Sequence, residues 1–152
     1  MINSRKIEDL DPRVQPICAK HIDLCRALGI ELLLTSTWRD FEAQDALYAI
    51  GRTRDVKRKP VTQAKGGKSW HNYKVAWDVV PIVGGKPVWD ALDRRWDDVV
   101  LCGIQAGAEA GAHWKQFPDM PHFQVIPGRP TQALSFEEAQ SRFTANGSIF
   151  LA

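Results

Sequence analysis

A single domain that mixes helices with strands is what this sequence predicts, on three observations. Val14, Ile17, Cys18, Ile22, Cys25 and Leu28 recur at helical spacing. Two apolar runs of strand length, Ile30–Ser36 and Val75–Val83, lie further on. Gly84-Gly85 separates the second run from Lys86-Pro87-Val88-Trp89, the pattern of a hairpin. At 152 residues the chain is long enough for one real core, and no linker, repeat or low-complexity stretch divides residues 1–152.

In order along the chain, Asp11-Pro12 opens the first helix, Asp11 as N-cap and Pro12 at the first helical position, and Gly29 closes it. His21 falls inside it with no other ligand type at ligand spacing, which makes it a core-edge histidine. Ile30–Ser36 reads as a buried strand running through Thr37-Trp38-Arg39-Asp40 into a helix from Phe41 to Ile50, stopped by Gly51. Gly51 to Lys68 has no apolar period and many cations, so a long mobile loop is expected. After the central strand and its hairpin, Asp93 is placed to cap a helix that buries Trp96, Val99, Val100, Cys102 and Ile104. The Gly and Ala run from Ala106 to Ala112 weakens its end. Trp114–Phe117 and Pro121–Ile126 read as short strands joined by Pro118-Asp119-Met120. Ser135-Phe136-Glu137-Glu138 is a capping box for a last helix with Phe136, Ala139 and Phe143 on one face.

Composition narrows the function. A formal net charge of +2 is too small to argue for nucleic acid, and the basic loop has no interleaved aromatics for stacking on bases. It suits an anionic substrate better. The start of the chain lacks the apolar core of a signal peptide, and no apolar run reaches membrane-span length. Synthesis in the cytoplasm is expected, without membrane insertion. Cys18, Cys25 and Cys102 are odd in number and unpaired in spacing, which fits buried thiols in a reducing compartment.

The candidate chemistry lies in Ser69–Asp78 and Asp119–Phe123. These offer His71, Asp78 and His122 as nitrogen and oxygen donors for a catalytic zinc, and Asp119 as a carboxylate to move protons beside it. Fully extended, His71 and Asp78 would stand roughly 23 Å apart and point to opposite faces, so a shared metal demands a bend between them. Asn72-Tyr73 is the expected turn, with Lys74 in ordinary β conformation, because a non-glycine residue at positive φ is uncommon. Spacing alone leaves a second reading open, a hydrogen-bonded core histidine beside a buried Asp. His113 is a fourth-ligand candidate by proximity, or simply an exposed histidine. Arg39, where a strand meets a helix, could fork onto a substrate carboxylate or make a surface salt bridge.

Beyond spacing, Ser69-x-His71-x-x-Lys74-x-Ala76-x-Asp78 resembles the SxHxxGxAxD motif of the D-alanyl-D-alanine carboxypeptidase and L-alanyl-D-glutamate endopeptidase metallopeptidases. Asp119-x-Pro121-His122-Phe123 resembles the second motif of that family. Thr35–Arg39 with Gln44 and Leu47-Tyr48 is similar to the segment before the first, and Glu109–Trp114 to a degraded EWGGxW. The resemblance implies an α+β fold of the hedgehog and DD-peptidase type, a small antiparallel sheet carrying the zinc site and covered by helices. It implies zinc on His71, Asp78 and His122, Asp119 as general base, and Arg39 and Ser69 near the substrate. It further implies action on bacterial peptidoglycan, most closely as a monomeric phage endolysin cutting between L-Ala and D-Glu. Such an enzyme reaches the wall after a separate protein permeabilises the membrane. The alternatives are a D-Ala-D-Ala carboxypeptidase or dipeptidase, and a non-catalytic wall-binding protein of the same fold. Lys74 in place of the motif glycine, Trp77, Ala110, Ala112 and Gln124 depart from the family pattern.

Overall fold

The computed structural model describes all 152 residues. Helix α1 spans Gln15–Ala27, later than the expected start. Asp11 heads a turn instead: its carboxylate accepts the Arg13 N–H and its carbonyl accepts those of Val14 and Gln15. Pro16, not Pro12, occupies the first helical turn. Asp11 is buried because it has a second task, accepting the Ser148 hydroxyl from the far end of the chain. Gly29, at φ +78°, ends the helix and turns the chain into strand β1, Glu31–Ser36. Helix α2, Phe41–Ala49, starts where the Asp40 carboxylate accepts the Ala43 N–H.

The segment from Gly51 to Lys68 forms no helix or strand of its own, as its composition implies, but it is fastened to α2. Gln44 donates to the Ala64 carbonyl at 2.8 Å, Arg52 bridges the Tyr48 and Thr62 carbonyls, and Asp45 accepts the Gly66 N–H. The loop is a tethered wall rather than the loose excursion expected.

Strands β2, Ala76–Val83, and β3, Lys86–Pro87, form the predicted hairpin over Gly84-Gly85. Helix α3 runs Arg95–Ala106, its first N–H taken by the Asp93 carboxylate. Trp96, Val99, Val100 and Cys102 are buried; Ile104 is exposed, contrary to expectation. Strand β4 is Glu109–Ala110 and β5 is His122–Gln124. Trp114–Phe117 is not a strand. Gly111–His113 forms a 3-10 turn, and positive φ at Phe117 breaks any extended run there. Helix α4, Phe136–Asn146, is capped by Ser135, which accepts the Glu138 N–H, but the box expected from the sequence is only half made, since the Glu138 carboxylate pairs with Arg142.

All pairings are antiparallel, in the order β1-β2-β5-β4 with β3 on the free part of β2. The alternation of strands sorts the side chains. Trp77 and Phe123 point into the layer of α1 and α3, where the Trp77 indole N–H donates to His21 Nδ1 and the His21 ring lies 4.3 Å from Phe123. α3 approaches closely because residue 103 is glycine; a Cβ there would sit 2.3 Å from the Phe123 ring. His21 is therefore a satisfied core histidine, its other nitrogen on the Val99 carbonyl, and burial depresses its pKa to about 4. Cys18, Cys25 and Cys102 are buried free thiols. Asp78, His122 and Gln124 are left on the opposite face, and there the functional residues gather.

Candidate metal centre

The bend that brings His71 to Asp78 is built locally. Trp70–Tyr73 forms a 3-10 turn opened by a reciprocal cap between Ser69 and Asn72. The Asn72 amide also accepts the Gly67 N–H and donates to the Arg39 carbonyl, which pins the turn to the β1–α2 junction. The reversal into β2 then falls on the residue after the turn. Lys74 is left-handed, φ 63° and ψ 27°, and not in the β conformation expected. Asn72 and Tyr73 cannot supply the reversal because both lie inside the turn. Glycine is the residue such a C-terminal position favours, and Lys74 fills it with its ammonium 4.2 Å from the Trp38 ring centroid.

Asp78 and His122 are direct cross-strand partners, so their side chains share one rung of the sheet. His71 Nε2 lies 3.2 Å from Asp78 Oδ1 and His122 Nδ1 lies 3.1 Å from the same oxygen. One donor atom from each of the three residues falls within 4.8 Å of the others, a compact N, N, O set. Burial works to raise the Asp78 carboxyl; in the metal-free protein the two imidazoles outweigh it whenever they are protonated on the nitrogens that face Asp78, and hold it well below the usual carboxylate range.

Hydrogen-bond logic fixes which ring nitrogens are free. His71 Nδ1 faces the Thr37 carbonyl at 2.8 Å, which can only accept, so the proton sits on Nδ1 and Nε2 keeps its lone pair. For His122 the reasoning runs through two more residues. The Glu109 carboxylate accepts, so Gln124 turns its NH2 toward it, at 2.6 Å. Gln124 Oε1 is then the group at 2.7 Å from His122 Nε2, which must carry the proton. Nδ1 of His122 is thereby freed toward the triad. Glu109 is itself held by Trp114 Nε1 and Arg129. Metal-binding histidines are characteristically oriented in this way by a partner on the far nitrogen. The residues fit zinc on these grounds: three donors of the preferred kind, with the far nitrogen of each imidazole engaged.

Asp119 is exposed at the lip of the same site. It reaches there because residue 111 is glycine: a Cβ would lie 2.5 Å from the Asp119 carbonyl, whose N–H in turn donates to Gly111. Desolvation and, to a lesser degree, the Asp78 charge raise the Asp119 carboxyl, against the opposing pull of His122 and His71. That direction suits a proton shuttle. A cleft of about 720 Å³ opens in front, with Ser69, Asp119 and His122 in its lining and residues 60–64 of the tethered loop along one side.

Arg39 makes no surface salt bridge. Its guanidinium donates to Gln44 and Ser36 behind the site; burial lowers its pKa while the Asp78 charge opposes that. Ser69 caps the His71 turn and also lines the cleft. His113 is exposed, faces a separate hollow beside α3 and is not one of the clustered ligands. The sequence did not reveal the roles of Gln124 and Glu109. Position 124 is two along a strand from His122 and so on the same face, which is the one local hint.

The profile of a family described as D-alanyl-D-alanine carboxypeptidase matches residues 62–125. The chain is 36% identical over 126 residues to the peptidoglycan L-alanyl-D-glutamate endopeptidase CwlK of Bacillus subtilis (strain 168), covering 75% of this chain and 74% of that one. Its fold resembles that of the Serratia marcescens L-Ala D-Glu endopeptidase ChiX, with TM-score 0.57 and 19% identity over 79% of this chain and 83% of that one. It also resembles the vancomycin-resistance D,D-pentapeptidase VanY in complex with Zn(II), with TM-score 0.60 and 14% identity over 91% and 80% of the two chains.

Proposed function

Because this chain belongs to the metallopeptidase family of D-alanyl-D-alanine carboxypeptidases and L-alanyl-D-glutamate endopeptidases, a family of zinc peptidases acting on peptidoglycan, we propose that it hydrolyses the bond between L-Ala and D-Glu of the stem peptide. The observation that carries the reading is the oriented His71, Asp78, His122 set with Asp119 at the mouth of the cleft. The 36% identity to an endopeptidase of that specificity favours this bond over D-Ala-D-Ala.

Zinc, when bound, supplies a Lewis acid that polarises the scissile carbonyl and lowers the pKa of water toward ~7. Asp119 takes a proton from the attacking water and passes it to the leaving amine. Its raised carboxyl pKa brings it closer to neutrality, where both transfers are efficient. Thr37 and Gln124 hold the two imidazoles so that the donor atoms need no reorganisation. Ser69 and the loop wall position the peptide from the side of the cleft. Arg39 contributes positive charge from behind Asp78.

The setting is part of the same proposal. The chain acts as a monomeric endolysin, made in the host cytoplasm and reaching the wall once a separate protein opens the membrane. No helix is long and apolar enough to cross a membrane. Digestion of purified wall with the zinc-loaded protein tests the bond. New N-terminal D-Glu by mass spectrometry is the expected result, and released D-Ala or no product overturns it. Co-expression in a bacterium with and without a membrane-permeabilising protein tests the setting: lysis only in its presence is expected.

A further inference from the structure

Phe117 is unexplained by folding. Its side chain is 81% exposed, yet its backbone is left-handed at φ 49°. For a bulky residue this conformation is a true outlier, and no burial of the ring offsets its strain. The turn is imposed from both ends: Trp114 and Asp119 each donate their N–H to the Gly111 carbonyl. Glycine or asparagine would satisfy that backbone with less strain. What phenylalanine adds is an aromatic face at the rim of the cleft, two residues before Asp119. The half-exposed Val61 and Pro60 belong to the same cleft. Strain kept at a functional rim, with no structural return, points to a contact with substrate.

We infer that Phe117 forms a stacking subsite for the apolar face of a sugar ring in the glycan strand that carries the stem peptide. This rests on the peptidoglycan reading above. The peptide around the proposed bond offers a methyl group from L-Ala and a carboxylate from D-Glu, too little apolar surface to cover an exposed phenyl ring. The large flat apolar surfaces of this polymer are the C–H faces of its pyranose rings. An aromatic ring gains by covering such a face through the same burial of apolar area that drives folding. The enzyme thereby distinguishes stems still attached to glycan from free peptides.

The test compares kinetics on a sugar-linked stem peptide and on the free peptide of the same sequence, for wild type, Phe117→Ala and Phe117→Gly. Expected is a fall in kcat/KM of about tenfold on the sugar-linked substrate, carried by KM, as for loss of one partly buried side chain. The free peptide is unaffected, and Phe117→Gly keeps or raises the thermal midpoint while losing the same activity. Equal loss on both substrates, or no loss on either, overturns the subsite. A second arm does not depend on cleavage: co-sedimentation of zinc-loaded protein with glycan strands stripped of peptide. Weaker retention of Phe117→Ala supports the subsite and unchanged retention overturns it. If wild type yields no new N-terminal D-Glu, the bond assignment fails while this arm still decides the role of Phe117.

Discussion

Replacing Lys74 separates the two forces that meet at the bend between His71 and Asp78. The backbone there is left-handed, which costs an L-residue about 1–2 kcal/mol. Glycine escapes that cost but loses about 0.5–1 kcal/mol more in conformational freedom on folding. The lysine ammonium, 4.2 Å from the Trp38 ring centroid, returns about 0.5–1 kcal/mol. Lys74→Ala keeps the strain and loses the ring contact, so it should destabilise by about 0.5–1 kcal/mol. Lys74→Gly loses the same contact and sheds the strain, so it should lie about 0.5–1 kcal/mol above Lys74→Ala and near wild type. For a chain of this size each kcal/mol moves the thermal midpoint by about 2–4 °C. Thermal unfolding of the three proteins at saturating zinc reads these differences. A glycine variant no more stable than the alanine variant would show that the bend carries no left-handed strain, and the account of how His71 meets Asp78 would fall with it.

Four further outcomes are expected. Purified protein should hold about one zinc per chain and lose activity to a chelator; a content near zero not restored by added zinc would sink the site. His122→Ala should lose the metal, whereas Asp119→Ala should keep it and lose turnover; loss of zinc from both, by elemental analysis, contradicts the assigned roles. Gln124→Leu removes the acceptor that fixes the His122 tautomer and should weaken zinc affinity by about 10–100-fold in a chelator competition, with an unchanged affinity refuting the relay through Glu109. His21 adds a pH dependence of stability. Its pKa falls from 6.5 to about 4 on folding, so the unfolded chain binds the extra proton between those values. Stability should therefore drop by about 3 kcal/mol as pH falls from 6.5 to 4, and His21→Asn, though weaker at neutral pH, should lack that share of the slope in denaturant titrations.

The ligands were legible because each sits in a short segment whose residue types announce donor chemistry, and α4 because Ser135 caps it locally. The bend was misplaced because local rarity argued against Lys74, whereas the demand came from tertiary structure: Asn72 is locked inside its turn by Gly67 and Arg39. The two-residue strand Glu109–Ala110 carries no periodic signal. It borrows its conformation from β5, and Trp114–Phe117, with better strand formers, is excluded by the turn at Gly111. The role of Gln124 was hidden because its partner Glu109 is fifteen residues away, and a departure from a family pattern does not say what it touches. With Glu at 124, two carboxylates would face each other; Gln keeps an acceptor for His122 and offers a donor to Glu109.

Ser36, Asp78 and His122 stand opposite one another across three adjacent strands. This rung works like a reading frame. Inserting or deleting one residue within β2 or β5 would turn Asp78 or His122 through the sheet into the helix layer, so both are intolerant of length change. The stretches 51–66 and 112–117, which leave out Asp119 and the Gly67 contact to Asn72, lie outside the frame, and each doubling of a flexible loop costs only about 0.6 kcal/mol in closure entropy. Chemistry and choice of substrate are therefore written in separable parts of the chain. New specificities can arise by exchanging whole loops of different length, while the hydrolytic centre survives each exchange untouched.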